Sequence, residues 1–334
     1  MNIFIRSIFL SLILLISVPS IAQDTFSIVA LDSVTGEVGS AGASCVNLIN
    51  YPNMTNHFLG ELFPGVGAIN CQAYYLESNQ INARNRMLEG MTPSEIITWL
   101  EENDVQNNPS IRQYGITAMV NGSPESAGYT GENTDDYKNH ITGPNYSIQG
   151  NILLGQMVLD SMEARFLREP GDLACKLMAA LQGAKMVGAD TRCASNGTSS
   201  LFSFVKVAQA EDTFGDPSFV LGLRTASGAG IEPIDSLQVL FDAEHYCPTI
   251  GLEESEEFNE SFSFMPNPVD DLLILESKET QVFQVQIVDV NGKVLKQSSI
   301  INHLSLDVSD LSHGLYFIQI YNDDKTIIQK FIKK

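Results

Sequence analysis

The run Glu253-Glu254-Ser255-Glu256-Glu257 places four carboxylates in five residues and offers no apolar side chain to bury. Such a run repels itself and stays solvated. The proline and glycine just before it, in Cys247-Pro248-Thr249-Ile250-Gly251, mark the same stretch as a linker. The chain therefore reads as two halves that fold separately: a domain over 23–245, an acidic linker over 246–262 and a tail over 263–334. A length of 334 residues suits two domains, and the larger half can bury a core without a disulfide framework.

The charge follows this division. The formal net charge is −21, from 19 Lys+Arg against 40 Asp+Glu. Residues 23–257, the domain with its acidic linker, hold 11 basic and 30 acidic side chains, while the tail from Glu260 holds 7 and 10. Binding nucleic acid or an anionic membrane surface requires basic groups that displace counterions, so both roles are disfavoured.

Residues 1–22 read as a secretory signal peptide. Arg6 supplies a positive start, Ile8 to Val18 an apolar core, and Pro19-Ser20-Ile21-Ala22 a small-residue cleavage site after Ala22. The apolar stretch is shorter than the roughly 20 residues of a spanning helix, so no transmembrane segment is expected in the mature chain. Export exposes Cys45, Cys71, Cys175, Cys193 and Cys247 to an oxidising compartment, which allows up to two disulfides with one cysteine left over. Adjacency along the chain suggests Cys45–Cys71 and Cys175–Cys193; buried free thiols are the other reading.

The tail is built of short strands: Leu272–Glu276, Val282–Val290, Lys293–Gln297, Gly314–Tyr321 and Thr326–Ile332, with Asn291-Gly292 as a hairpin turn. That pattern makes a small, Ig-like β-sandwich. Four landmarks stand in order: Met265-Pro266-Asn267-Pro268-Val269, Ile287-Val288-Asp289-Val290-Asn291-Gly292-Lys293, Leu311-Ser312-His313-Gly314-Leu315-Tyr316-Phe317-Ile318, and Lys330-Phe331-Ile332-Lys333-Lys334. Together they resemble the type A C-terminal sorting domain of the type IX secretion system of Bacteroidetes. The resemblance implies interaction with that secretion machinery through 263–334 and a location outside the cell or on its outer-membrane surface.

In the larger domain, Thr25–Leu31 and Glu37–Ser44 form a buried hairpin around Asp32-Ser33-Val34-Thr35-Gly36, and Gly65–Ala73 is a third strand. Asn79–Leu88 is helical, and Thr92-Pro93-Ser94-Glu95 is a capping box opening a second helix. A hairpin about Asn121-Gly122, helices over Ile152–Leu167 and Leu173–Val187, strands over Leu201–Ala208 and Phe219–Leu223, and a helix over Pro233–Ala243 follow. Hairpin-linked strands with helix pairs between them predict an α+β fold: two stacked antiparallel sheets with helices outside, a four-layer αββα sandwich.

Thr25-Phe26-Ser27-Ile28-Val29-Ala30-Leu31-Asp32, Pro64-Gly65-Val66-Gly67-Ala68, Tyr114-Gly115-Ile116, Gln149-Gly150-Asn151-Ile152-Leu153 and Gly188-Ala189-Asp190-Thr191-Arg192 resemble the domain-of-unknown-function 1028 family. That family looks like part of the N-terminal-nucleophile (Ntn) hydrolase superfamily, which has the αββα fold. The resemblance implies an amide hydrolase with Thr25 as nucleophile, its own α-amine serving as base. Ser44, Gln72, Asn151, Asp190 and Arg192 are the candidate substrate-binding residues. Asn151 is expected where a helix begins, presenting N–H groups to an oxyanion. Asp190 and Arg192 are expected to pair and orient a substrate carboxylate.

Gln23-Asp24 would precede Thr25 after cleavage at Ala22, so the mechanism requires a cut before Thr25. The alternative is a non-catalytic relative binding a small molecule, peptide or cell-wall fragment in the same cleft. Gly39-Ser40-Ala41-Gly42 is not a nucleophile elbow, since Val38 stands where Gly is required. The five histidines have no metal spacing, so neither a metal nor a cofactor is expected.

Overall fold

The computed structural model describes residues 25–247, 262–278, 282–289, 293–322 and 326–334. The leader expected at 1–22, the acidic run and the Asn291-Gly292 turn lie outside the described residues. The chain forms two compact units that part between Pro248 and Thr249: a mixed α/β domain, followed by an all-β region.

The domain runs β1 (Thr25–Leu31), β2 (Val38–Ser44), β3 (Gly60–Phe63), β4 (Gly67–Gln72), α1 (Glu77–Leu88), α2 (Pro93–Glu102), β5 (Gln113–Val120), β6 (Ser123–Thr130), β7 (Asn139–Gly143) and β8 (Tyr146–Gly150). It continues α3 (Gln156–Arg168), α4 (Leu173–Gly183), β9 (Phe202–Ala208), β10 (Phe219–Arg224) and α5 (Pro233–Glu244). Ten strands form two sheets, one ordered β10-β9-β2-β1-β8-β7 and the other β3-β4-β5-β6. Every ladder in both is antiparallel.

The two-residue period of a strand decides what each side chain meets. On β1, Phe26, Ile28 and Ala30 pack with Val158, Leu159 and Met162 of α3, Leu177 and Leu181 of α4, and Ile234 and Leu237 of α5. The alternate residues Val29 and Leu31 join Val38, Leu62 and Ala68, so the other face of the six-stranded sheet meets the smaller sheet. Ile69 and Ile116 of that smaller sheet pack with Ala83 and Met87 of α1 and Ile96 and Leu100 of α2. The capping box is present: Glu95 N–H donates to Thr92 Oγ1 at 3.3 Å, and Thr92 N–H to a Glu95 carboxylate oxygen at 2.8 Å. Gly39 has no side chain because a Cβ there would collide with Leu177, so its bareness lets α4 lie close on β2.

Several expectations are corrected. The strand expected over Gly65–Ala73 is β4 alone, and the turn before it pairs it with an unforeseen β3. The β7–β8 hairpin was also unforeseen. The helix expected from Ile152 begins at Gln156, because Ile152 takes a positive φ of 51° and Leu153 bridges to Asp190. Asn151 therefore directly follows the end of β8 rather than opening a helix. The next helix stops at Gly183, four residues before Val187.

The expected disulfides are corrected as well. Cys45 is bonded to Cys193 and Cys175 to Cys247, each with Cα atoms 5.6 Å apart, and Cys71 is a buried free thiol. Chain adjacency misleads here because β2 pairs with β9, which brings the end of β2 beside residues 148 positions away.

The second unit has a sheet of β11 (Phe262–Met265), β12 (Leu272–Ser277) and β15 (His303–Asp307), and another ordered β14 (Val294–Ile300), β13 (Phe283–Val288), β16 (Gly314–Tyr321), β17 (Thr326–Lys333). Leu273 and Leu275 from the first sheet share one core with Val285, Ile287, Ile318 and Ile320 from the second. Strands β11 and β15 were not foreseen.

Candidate functional site

Five strand ends converge at one edge of the two sheets: the start of β1, the ends of β2, β4 and β8, and the start of β5. Thr25, the first residue of β1, is fully buried. Its backbone N–H donates to Asn151 Oδ1 at 3.2 Å. Its carbonyl accepts from the Asn151 N–H at 3.1 Å and from Gln72 Nε2 at 3.1 Å. Asn151 and Gln72 thus clamp the backbone on both sides of the Thr25 side chain.

Gln72 belongs to a buried network between the sheets. Ser27 Oγ donates to Gln72 Oε1 at 2.6 Å, and Gln149 Nε2 donates to Ser27 Oγ at 2.6 Å. Gln72 Nε2 donates to Gln113 Oε1 at 2.7 Å, and Gln113 Nε2 reaches the Gly150 carbonyl at 2.9 Å. Asn151 Nδ2 closes the ring on Gln113 Oε1 at 3.3 Å. All these groups are neutral. They have defined donors and acceptors, and a satisfied buried network of this kind holds its members in one geometry.

Ser44 faces Thr25 across the β1–β2 ladder. Its Oγ accepts from Arg192 Nη2 at 3.4 Å and from the Val46 N–H at 3.2 Å. Arg192 grips Asp190 with two forked bonds, Nε to Oδ1 at 3.0 Å and Nη2 to Oδ2 at 2.6 Å. The Cys45 N–H donates to Asp190 Oδ2 at 2.8 Å. Asp190 is wholly buried, whereas about a third of the Arg192 side chain is exposed. The Cys45–Cys193 bond pins the same corner.

The six residues singled out in the sequence thus fall into two groups, Thr25/Gln72/Asn151 and Ser44/Asp190/Arg192. The Thr25–Ser44 register pair joins them, as does the Thr191 N–H bonded to the Ile152 carbonyl at 3.0 Å. Sequence reasoning missed Ser27, Gln113 and Gln149. The available signal was the spacing of polar residues two or four apart on one face of a strand, Thr25/Ser27, Gln113/Thr117 and Ser147/Gln149. A cavity of about 560 Å³ is lined by Tyr51, Met54, Phe58 and Tyr75 and by none of the six residues singled out in the sequence.

Cys175, His245 and Cys247 form a cluster of metal-ligating residue types. The two cysteines are bonded to each other and present no thiolate, and His245 Nε2 lies 2.9 Å from Asp172.

Comparison with known proteins gives two family matches. Residues 25–216 match the family of unknown function DUF1028, and residues 263–334 match the secretion system C-terminal sorting domain. No curated protein matches. Among solved structures, the crystal structure of protein SPO2555 from Silicibacter pomeroyi, described as DUF1028, is similar at 21% identity and a TM-score of 0.51. The match covers 66% of this chain and 88% of that one. That likeness is one of fold. A BSP domain of a biofilm-associated protein aligns at 10% identity and a TM-score of 0.20, over 66% of this chain and 48% of that one, too weak to bear on the argument.

Proposed function

The chain belongs to the DUF1028 family, and on that premise we propose that its domain is an amide hydrolase of the Ntn kind, with Thr25 as N-terminal nucleophile. The sorting tail indicates type IX secretion to the cell surface or the extracellular space, so the substrate is met outside the cell. The order of packing, from α1/α2 through both sheets to α3, α4 and α5, supports the four-layer αββα reading.

The observation that carries the proposal is the Thr25 nitrogen held 3.2 Å from Asn151 Oδ1 at the point where the strand ends meet. Once the peptide before Thr25 is cut, that nitrogen is an amine with an acceptor already aligned. It takes the Thr25 hydroxyl proton as Oγ attacks a substrate amide carbon, then passes the proton to the departing amine. Water releases the resulting ester by the same route in reverse. Gln72 and Asn151 fix the Thr25 backbone, and Arg192, oriented by Asp190, meets a substrate carboxylate.

The complete burial of Thr25 favours a second reading, a ligand-binding domain that keeps the fold without the reaction. Mass spectrometry of the mature N-terminus separates the two. A chain beginning at Thr25 with a free amine, whose amide hydrolysis is lost in Thr25→Ala, supports the enzyme. A folded, surface-located chain beginning at a cyclised Gln23 removes the mechanism and leaves the binding domain.

A further inference from the structure

Lys206 lies in the middle of β9, on the side facing the smaller sheet, and is 6% exposed. Its Nζ donates to the Gly60 carbonyl at 2.5 Å and the His57 carbonyl at 3.3 Å. Among the described residues it forms no ion pair. A cavity of about 280 Å³ opens beside it, walled by Phe58, Phe214, His57, Glu61 and Arg84. The cavity is distinct from the Thr25 corner. Thr25 pairs with Ser44, and Ser44 with Phe202, which is four strand residues, or about 13 Å, from Lys206.

The charges in this cavity do not balance. Glu61 is the carboxylate nearest in effect to Lys206, but both its oxygens are taken by Arg84, through Nε at 2.9 Å and through Nη2. Burial, with the Lys206 charge added, drives the His57 pKa down to about 4, so His57 is neutral at pH 7. Two cations and one anion leave one net positive charge along the cavity wall, met at Lys206 only by the dipoles of two carbonyls, in a protein whose net charge is −21. An isolated buried charge is strongly unfavourable, and a counterion relieves it. Burial accordingly lowers the Lys206 pKa to about 8.

We propose that this cavity is a binding site for a small monocarboxylate, whose charge compensates Lys206 and whose apolar body lies against Phe58 and Phe214. The volume sits just below the roughly 300–1,000 Å³ of sites for drug-sized ligands, which suits a compact acid. The Arg84 guanidinium already lies over the Phe214 ring, 5.4 Å from its centroid, so the cation and the aromatic wall are held in register. The inference stands apart from the Thr25 mechanism and survives its failure.

Benzoate is the probe, titrated into the full chain at pH 7 against chloride of equal ionic strength, with affinity read by calorimetry. Saturable one-site binding is expected. Lys206→Met should weaken it at least tenfold. Arg84→Gln should also weaken it, because the released Glu61 then neutralises Lys206. Glu61→Gln should strengthen it, which a lysine acting only as a structural strut would not do.

In wild type, benzoate should also protect Lys206 from acylation by an activated acetate ester, read on the Lys206 peptide. This readout stands even if a variant fails to fold. Absence of binding beyond the chloride control, unchanged affinity in a folded Lys206→Met, no protection of Lys206, or a response to phosphate but not benzoate would each overturn the assignment.

Discussion

At Gly115 the space a side chain would fill belongs to Gln149, whose amide a Cβ would strike directly. The missing methyl lets Gln149 reach Ser27, and through it Gln72 and the Thr25 carbonyl. Gly115→Ala should therefore displace Gln149 and leave buried donors unmet. The expected loss is about 1–3 kcal/mol, read as a lower denaturant midpoint at unchanged slope. Gly115→Ala combined with Gln149→Ala should recover part of the loss, since the pair is coupled. Thr25 was singled out through the family resemblance, and Gln72 and Asn151 as polar residues within the segments that carry it; the structure bonds all three together. Gln113 and Gln149 were not legible in the sequence. A glutamine at a strand position is ordinarily a solvent-facing residue, and only the second sheet turns that position inward.

Between elements, the buried pair of Arg112 and Asp104 joins the segment after α2 to the start of β5, with Nε and Oδ2 2.9 Å apart. Asn79 of α1 donates to the same Asp104 oxygen at 2.5 Å, so three segments share one carboxylate. Burial alone would raise the Asp104 pKa; hydrogen bonds from Arg112, the Asn108 backbone and Asn79 outweigh it and hold the carboxyl below its usual range. With a folded pKa below the unfolded one, the pair's stabilisation is present above about pH 4 and lost as pH falls through the folded value. Asp104→Ala should lower stability at pH 7 by about 3–5 kcal/mol, and the difference from wild type in denaturant melts should shrink in strong acid.

The helices and the first hairpin were readable from their periods and caps, whereas β7 and β8 were hidden by a physical ambiguity. In Tyr146–Gly150, Tyr146 and Ile148 face the helices while Ser147 and Gln149 face the other sheet. Both faces are buried, so polar residues do not signal water. The disulfides were misread for a related reason, since sheet order rather than chain order sets neighbours.

Over the whole molecule, the Cys45–Cys193 bond closes a loop of 148 residues and so restricts most of the domain's unfolded chain. Cys193→Ser should lower stability by roughly 2–5 kcal/mol, measured by denaturation under non-reducing conditions. The tail makes a separate prediction: deleting 263–334 should strand the folded domain in the periplasm, read by cell fractionation and by protection from added protease. Normal surface display of the truncated chain would refute the sorting role.

The oxidised bridge has a bearing on timing. Ser44 precedes Cys45 and Arg192 precedes Cys193, so the bond that joins the cysteines also sets the reach between serine and guanidinium. Burial, reinforced by the charge of Glu61, pushes the Cys71 thiol well up and keeps it from attacking the finished bond as a thiolate. The corner of the domain that holds Asp190 is thus completed by the first oxidising compartment the chain enters. A copy held in a reducing compartment would lack the covalent tie between the Cys45 and Cys193 segments, so export and the closing of this corner fall in the same step.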